Sequence, residues 1–447
     1  MTKLRILVQD FMNSFRTILL GFLALILCGA GLLCLPAATA THQSVPFLNA
    51  LFTSTSAACV TGLVVYDTAT QWSFFGRTVI LILIQVGGLG VVTAFIATMI
   101  LTGKRIGLMQ RIAMQDAVSA PQLGGIVRFT AFFLKATFII EFIGALLLLP
   151  VFARDFGFVK GLGFAVFHSV SAFCNAGFDL MGVVRGPFTS LTTYADNAWI
   201  NIVISLLIII GGAGFLTWRD LIENKFKFQG LRLQTKLILA TTAVLLTVPF
   251  IYFFFLEFDA VPMKERVLMS MFQTVTPRTA GFNTADFGVM KEGTLLITVL
   301  LMMIGGAPGS TAGGIKITTI AVIFLSARTY MKGRENTNAF RRRIEPAAIH
   351  NAYTLFVLYL LLLIAGTIVL SEVEDISIMP AMFECASALG TVGLTTGITP
   401  GLSTVSKIIL IFFMYFGRVG GRTLTYSIVS LTKKETSKLP AEKLTVG

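Results

Sequence analysis

Eight apolar runs, near 17–37, 73–101, 129–152, 198–217, 235–256, 294–325, 352–371 and 405–431, leave this chain of 447 residues few folds to choose from. A run of about 20 residues, at 1.5 Å per residue, crosses a hydrocarbon core of roughly 30 Å. Inside lipid every backbone N–H and C=O must find its partner within the protein, so such runs read as helices. Composition agrees: 55% of the residues are apolar and 13% charged, against about 25% charged in soluble domains. That balance argues against a soluble enzyme, a disordered chain and a secreted disulfide scaffold. Cys28, Cys34, Cys59, Cys174 and Cys385 lie in apolar context without a CxxC pair, so neither a disulfide framework nor a zinc site is implied. Three histidines are too few and too scattered for a His-based metal centre. Lys3, Arg5 and Arg16 before the first run, with Ala38-Thr39-Ala40 after it, imitate a signal peptide. The run from Thr17 to Pro36 is nevertheless long enough to span, and is read as a helix that is kept.

Shorter apolar runs lie between the members of each pair, near 46–59, 161–174, 264–276 and 378–389. They are too short to cross and fit re-entrant half-helices. The unit is span, half-helix, extended loop, span, and it occurs four times. Related tetrapeptides close the half-helices: Val60-Thr61-Gly62-Leu63, Asn175-Ala176-Gly177-Phe178, Thr279-Ala280-Gly281-Phe282 and Thr391-Val392-Gly393-Leu394. Phe52, Phe167 and Phe383 lie ten residues before their glycines, and Ser56, Ser171 and Ser387 six before. In the third unit Phe272 and Thr276 stand one residue closer, which predicts a deletion near Pro277. The expected fold is an all-α integral membrane protein, with four pseudo-repeated span, pore-half-helix, filter-loop and span units around one central pore. The expected divisions are an N-terminal segment 1–16, repeats 17–102, 103–218, 219–332 and 333–432, and a C-terminal segment 433–447.

Orientation follows from charge. The two terminal segments and the three loops between repeats hold most of the 35 Lys and Arg but fewer than half of the 22 acids. By the positive-inside rule they face the cytoplasm. A multi-pass protein of the cytoplasmic membrane, with both termini inside, is expected. The net charge of +13 is thereby accounted for without a nucleic-acid partner.

Four extended loops after four half-helices can meet on one axis, where their carbonyls would replace the hydration shell of an ion. The residues read as ion-binding are Val60, Thr61, Gly62, Asn175, Ala176, Gly177, Thr279, Ala280, Gly281, Thr391, Val392 and Gly393. Glycine in each loop permits the backbone angles that turn carbonyls inward. The half-helices aim their negative C-terminal ends at the axis, which favours a cation. The plainer alternative is four glycine turns joining helices, with no ion.

The second span of the third unit contains Gly305, Gly306, Ala307, Pro308, Gly309, Ser310, Thr311, Ala312, Gly313 and Gly314, followed by Ile315 and Lys316. Five glycines and a proline should break the helix, and a membrane tolerates the break only beside protein or water. An irregular loop below the filter is expected; the alternative is a glycine-rich packing face. The phosphate-loop pattern is absent, because Gly314 is followed by Ile315. Charges in the spans are costly and conspicuous: Lys135, Glu141, Lys316, Glu384, Arg418 and Arg422. Lys135 and Glu141 would find partners on other helices, and Glu384 a base. Arg418 could serve a structural ion pair or snorkel to the cytoplasm. Arg341, Arg342, Arg343, Lys433, Lys434 and Lys438 suit either anionic lipid headgroups or a docking partner.

On the four glycine loops and the Gly305–Gly314 motif, the whole chain resembles the Trk/Ktr/HKT superfamily of potassium transporters, most closely the Ktr-type membrane subunit. In that family four filter glycines go with potassium preference, so potassium is the implied substrate, and the resemblance to Ktr-type members implies sodium-stimulated uptake. The resemblance makes the 305–314 loop an intramembrane gate with Lys316 and Arg418 beside it. It implies a homodimer, and control by a separate cytoplasmic ring of Rossmann-like nucleotide-binding subunits. This chain has no dinucleotide fingerprint of its own, so no nucleotide site is expected on it. Gly421 and Arg422 depart from the family pattern. A secondary transporter for another monovalent cation, with a midplane site in broken helices, is the alternative. No cluster of His, Cys, Asp or Glu within a span suggests an enzyme.

Overall fold

The structure, a computed structural model, describes residues 14–102, 106–117 and 124–420. Expectations for Lys3, Arg5, Gly421, Arg422, Lys433, Lys434, Lys438, the end of the last apolar run and most of both terminal segments lie outside the described residues.

Repeat 1 consists of α1 (Ser14–Leu33), the half-helix α2 (Phe47–Ala58), α3 (Phe74–Leu89) and α4 (Val91–Leu101), with α5 (Leu108–Ala117) following. Repeat 2 is α6 (Ile126–Phe156), the half-helix α7 (Phe158–Phe173), α8 (Ala198–Gly212) and α9 (Phe215–Glu223). Repeat 3 is α10 (Leu233–Tyr252), the half-helix α11 (Met263–Val275), α12 (Glu292–Met303) and α13 (Ile317–Met331). Repeat 4 is α14 (Pro346–Glu374), the half-helix α15 (Ile378–Gly390) and α16 (Thr404–Val419). Besides these and a few single turns, the described regular structure is one hairpin, β1 (Asn338–Ala339) antiparallel to β2 (Arg342–Arg343).

The same local chemistry starts the second helix in three repeats. Ser73 Oγ accepts from Gly76 N at 3.2 Å, Asn197 Oδ1 from Ile200 N at 3.2 Å, and Ser403 Oγ from Ser406 N at 3.5 Å. Each cap satisfies one of the amide groups that a helix leaves unpaired at its start. The same three helices also end alike. Gly90, Gly214 and Gly420 share φ of +87°, +89° and +89° with ψ of 134°, 136° and 134°. Residues with a Cβ rarely adopt this conformation.

Gly90 and Gly214 bend two of the eight runs read as spanning candidates. The runs 73–101 and 198–217 are each two helices, bent by 95° at Gly90 and by 91° at Ala213–Gly214. The third repeat's run 294–325 is interrupted by a non-helical stretch between Met303 and Ile317, as its glycines predict. Among the described residues four helices are continuous and apolar enough to cross a membrane, or up to six if each bent pair is one span.

Phe52, Phe272 and Phe383 are fully buried, and Phe167 nearly so, which seats each half-helix in the protein interior. On α6, Phe138, Ile139, Phe142, Ile143 and Leu146 face outward instead, an apolar surface suited to lipid. In a bilayer such surface costs little, so packing and hydrogen bonds must select the interior.

Candidate functional site

At each half-helix the chain reverses through a left-handed residue and then uses a glycine. Val60, Asn175, Thr279 and Thr391 have φ of 58°, 58°, 72° and 52°; Gly62, Gly177, Gly281 and Gly393 have φ of 92°, 66°, 82° and 94°. The four backbone strands thus repeat one conformation, strained at one non-glycine residue apiece.

The glycines also show how the loops meet. A Cβ on Gly62 would lie 2.6 Å from the Ala176 carbonyl oxygen, and one on Gly177 would lie 2.7 Å from that of Ala280. One on Gly281 would meet the Val392 oxygen, and one on Gly393 the Thr61 oxygen. The contacts run from repeat 1 to 2, 3, 4 and back to 1. The four glycines and the carbonyls of Thr61, Ala176, Ala280 and Val392 therefore close a ring with no space for a side chain at the glycines. Asn175 and Thr279 link two neighbouring loops, their side chains 3.3 Å apart.

The hydroxyls recognised in the sequence brace these loops. Ser56 Oγ accepts from Gly62 N and Ser387 Oγ from Gly393 N, both at 3.0 Å. Ser171 Oγ donates to the Phe178 carbonyl at 2.7 Å, and Thr276 Oγ1 donates to that of Phe282. Backbone bonds add Thr61 N to Ser56 O, Ala176 N to Ser171 O and Val392 N to Ser387 O, each 2.8 Å. In the third repeat the corresponding bond, Ala280 N to Thr276 O, spans one residue fewer. The deletion predicted near Pro277 is real and lies in this turn.

Directly beneath the ring runs the stretch 304–316. Ile304 bridges Ile315, and Gly305 N donates to Ile315 O at 2.8 Å, closing it as a loop. Ala307 N donates to Gly212 O at 2.9 Å and Thr311 Oγ1 to Phe173 O at 3.1 Å, fixing it to repeat 2. Gly314 N donates to Gly417 O at 3.2 Å, fixing it to repeat 4. A Cβ on Gly313 would lie 2.1 Å from Thr391 Oγ1, at the inner end of the fourth ring strand. Lys316 Nζ donates to Ala312 O at 2.7 Å and so folds over the loop's own carbonyls. The Arg418 guanidinium donates to Thr311 O from one side, and to Gly87 O and Gly88 O of α3 from the other. The sequence reading left an ion pair open for Arg418; among the described residues its hydrogen-bond partners are backbone carbonyls instead.

The other intramembrane charges distribute differently. Lys135 is exposed on α6. Glu141 is buried, and its carboxylate accepts from Gln85 Nε2 at 3.2 Å across to α3. Glu384 was expected to meet a base; instead its carboxylate accepts from the hydroxyls of Thr395 and Thr399. Arg278, next to the third ring strand, was not singled out from sequence; it is 7% exposed, and Nη2 reaches Thr242 Oγ1 at 3.4 Å. Arg341, Arg342 and Arg343 form the exposed hairpin end, where Phe340 packs edge-on against Phe228 with centroids 5.8 Å apart.

The sequence profile of the TrkH family, described as cation transport protein, matches residues 8–438. The potassium/sodium uptake protein NtpJ of Enterococcus hirae is 39% identical over 458 residues, covering 100% of both chains. The Ktr system potassium uptake protein B of Bacillus subtilis is 39% identical over 438 residues, covering 97% of this chain and 96% of its own. Among solved structures, the crystal structure of the potassium transporter TrkH from Vibrio parahaemolyticus superimposes with a TM-score of 0.74 at 18% identity, over 94% of this chain and 85% of the other. That likeness supports the fold.

Proposed function

The chain belongs to the TrkH family of cation transport proteins, and on that premise we propose that it takes up potassium ions across the cytoplasmic membrane through the four-loop ring. The observation that carries the reading is the cyclic contact of each filter glycine with the carbonyl of the next repeat. A ring of backbone oxygens offers a dehydrated cation the ligands that water gave it. Four half-helix C-termini directed at the ring add their partial negative charge. The names of the relatives, potassium/sodium uptake protein and Ktr system potassium uptake protein, favour potassium as the substrate and sodium as a second ion.

Ions lose water at the outer mouth, bind at Val60, Thr61, Gly62 and their counterparts, and meet the 304–316 loop on the inner side. The loop is the gate. Its hydrogen bonds to repeats 2 and 4, with the Arg418 tether between Thr311 and α3, hold it across the path. A cytoplasmic nucleotide-binding ring, carried by separate chains, moves the loop; membership of a Ktr system among the relatives supports a partner of this kind. The chain works as a homodimer, both termini on the cytoplasmic side, with basic loops against anionic lipid.

The test is potassium uptake in a bacterial strain lacking its own uptake systems, with the cytoplasmic partner co-expressed. Wild type should restore growth on low potassium. Gly62→Ser places a Cβ at φ +92° against the Ala176 oxygen, and should lose most discrimination against sodium. Restored growth with unchanged discrimination in Gly62→Ser would remove Gly62 from the filter. No uptake by correctly inserted wild type would overturn potassium as the substrate.

A further inference from the structure

The hydroxyls six residues before the filter glycines hold the inner part of each loop. A second set of side chains holds the outer part. Glu384 lies nine residues before Gly393, and His168 nine before Gly177. Gln273 lies eight before Gly281, the same place once the deletion in repeat 3 is allowed for. All three are fully buried on their half-helices.

All three accept hydrogen bonds from the same stretch of the chain, two to six residues after the glycine. Leu180 N donates to His168 Nε2 at 3.3 Å. His168 Nδ1 lies 2.8 Å from Phe164 O; a carbonyl can only accept, so Nδ1 carries the proton and Nε2 offers its lone pair. With its oxygen turned toward the chain, Gln273 accepts from Thr284 N at 3.2 Å and Ala285 N at 3.0 Å. The Glu384 carboxylate accepts from the Thr395 and Thr399 hydroxyls, the latter at 2.9 Å. An imidazole, an amide and a carboxylate thus perform one geometric task. In repeat 1 the corresponding Thr53 turns back to Asn49 O at 3.0 Å. There Asn49 Nδ2 donates instead to the hydroxyl of Tyr66, four residues past Gly62, at 2.7 Å.

Resting on the transport reading above, we infer that His168, Gln273 and Glu384 are positioning residues of the filter, latching its outer limbs to the half-helices so that the carbonyl ring keeps one diameter. A buried acceptor whose donors are fixed on both sides has little freedom to relax. Discrimination between two cations of equal charge depends on how rigidly, and with how many oxygens, the ring is held. Glu384 holds two hydroxyl donors of one strand and so pins that strand at two points. Its loss should spread the fourth strand outward from Thr395.

The experiment is potassium uptake competed by sodium, in the uptake-deficient strain with the full-length chain and its cytoplasmic partner. Glu384→Ala should lower the preference for potassium over sodium about tenfold, or ~1.4 kcal/mol, and raise the KM for potassium. Glu384→Gln keeps an oxygen for the Thr395 and Thr399 hydroxyls and should retain most of that preference. If Glu384→Ala does not reach the membrane, Thr399→Val removes one donor and leaves the carboxylate; it should shift the same ratio in the same direction, and Thr399→Ser should restore it. An unchanged ratio in the inserted variants would overturn the latch. So would an equal fall in uptake of both ions, which is what a purely structural role gives. Failure of wild type to take up potassium would instead defeat the transport reading.

Discussion

Arg418 places a guanidinium on three backbone carbonyls drawn from two different repeats, Thr311 O on the loop and Gly87 O and Gly88 O on α3. A hydrogen bond to a charged group contributes about 1.5–3 kcal/mol. Losing about 2 kcal/mol from the closed arrangement shifts the closed-to-open ratio roughly thirtyfold. Arg418→Gln should therefore raise uptake measured without the cytoplasmic partner, and narrow the difference that the partner makes. Unchanged partner dependence would show that the tether does not hold the gate. At this scale the sequence was legible where one residue type recurs at one spacing, as with the four glycines and the hydroxyls six before them. The outer latch was not, although Glu384 had been noticed. His168, Gln273 and Glu384 share an accepting atom in space and no residue type, and the deletion in repeat 3 moves Gln273 out of register. Arg278 escaped for the second of these reasons, being one residue from Pro277.

Among elements, the second helices show how a single glycine defeats a hydropathy reading. Gly90 and Gly214 sit in unbroken apolar runs, so a window of about 19 residues passes over them; their φ of +87° and +89° turns each run by more than 90°. The third repeat was readable because five glycines and Pro308 are too many for any helix. Its loop is seated by close approach. At Gly313 a Cβ would collide with Thr391 Oγ1, so Gly313→Ala must displace that side chain or the loop. The variant should pass ions without the cytoplasmic partner, and its uptake should respond little to adding it. Retention of tight partner control would contradict a loop seated against the filter's inner end.

For the molecule as a whole, the four repeats assemble one site that no repeat contains. Each ring glycine needs the carbonyl of a neighbouring repeat, so ion binding should stabilise the entire fold. A ligand at one hundred times its Kd adds about 2.7 kcal/mol to a folded state that alone binds it. The melting temperature of the purified protein in detergent should rise with potassium concentration, and less with sodium at equal ionic strength. Equal shifts for both salts would point to screening of the exposed charges instead. The general architecture and the meeting of four loops on one axis were legible because span, half-helix, loop and span repeat four times; which carbonyl each glycine packs against was not, since adjacency between repeats is a property of the fold alone.

The central claim is that cations bind on the axis where the four strands meet. Anomalous diffraction from crystals grown with rubidium or thallium in place of potassium tests it most directly. The account predicts peaks on that axis, at the level of the carbonyls of Val60, Asn175, Thr279 and Thr391 and of the glycines Gly62, Gly177, Gly281 and Gly393. An empty axis, with the ions instead among broken helices away from the ring, would contradict it.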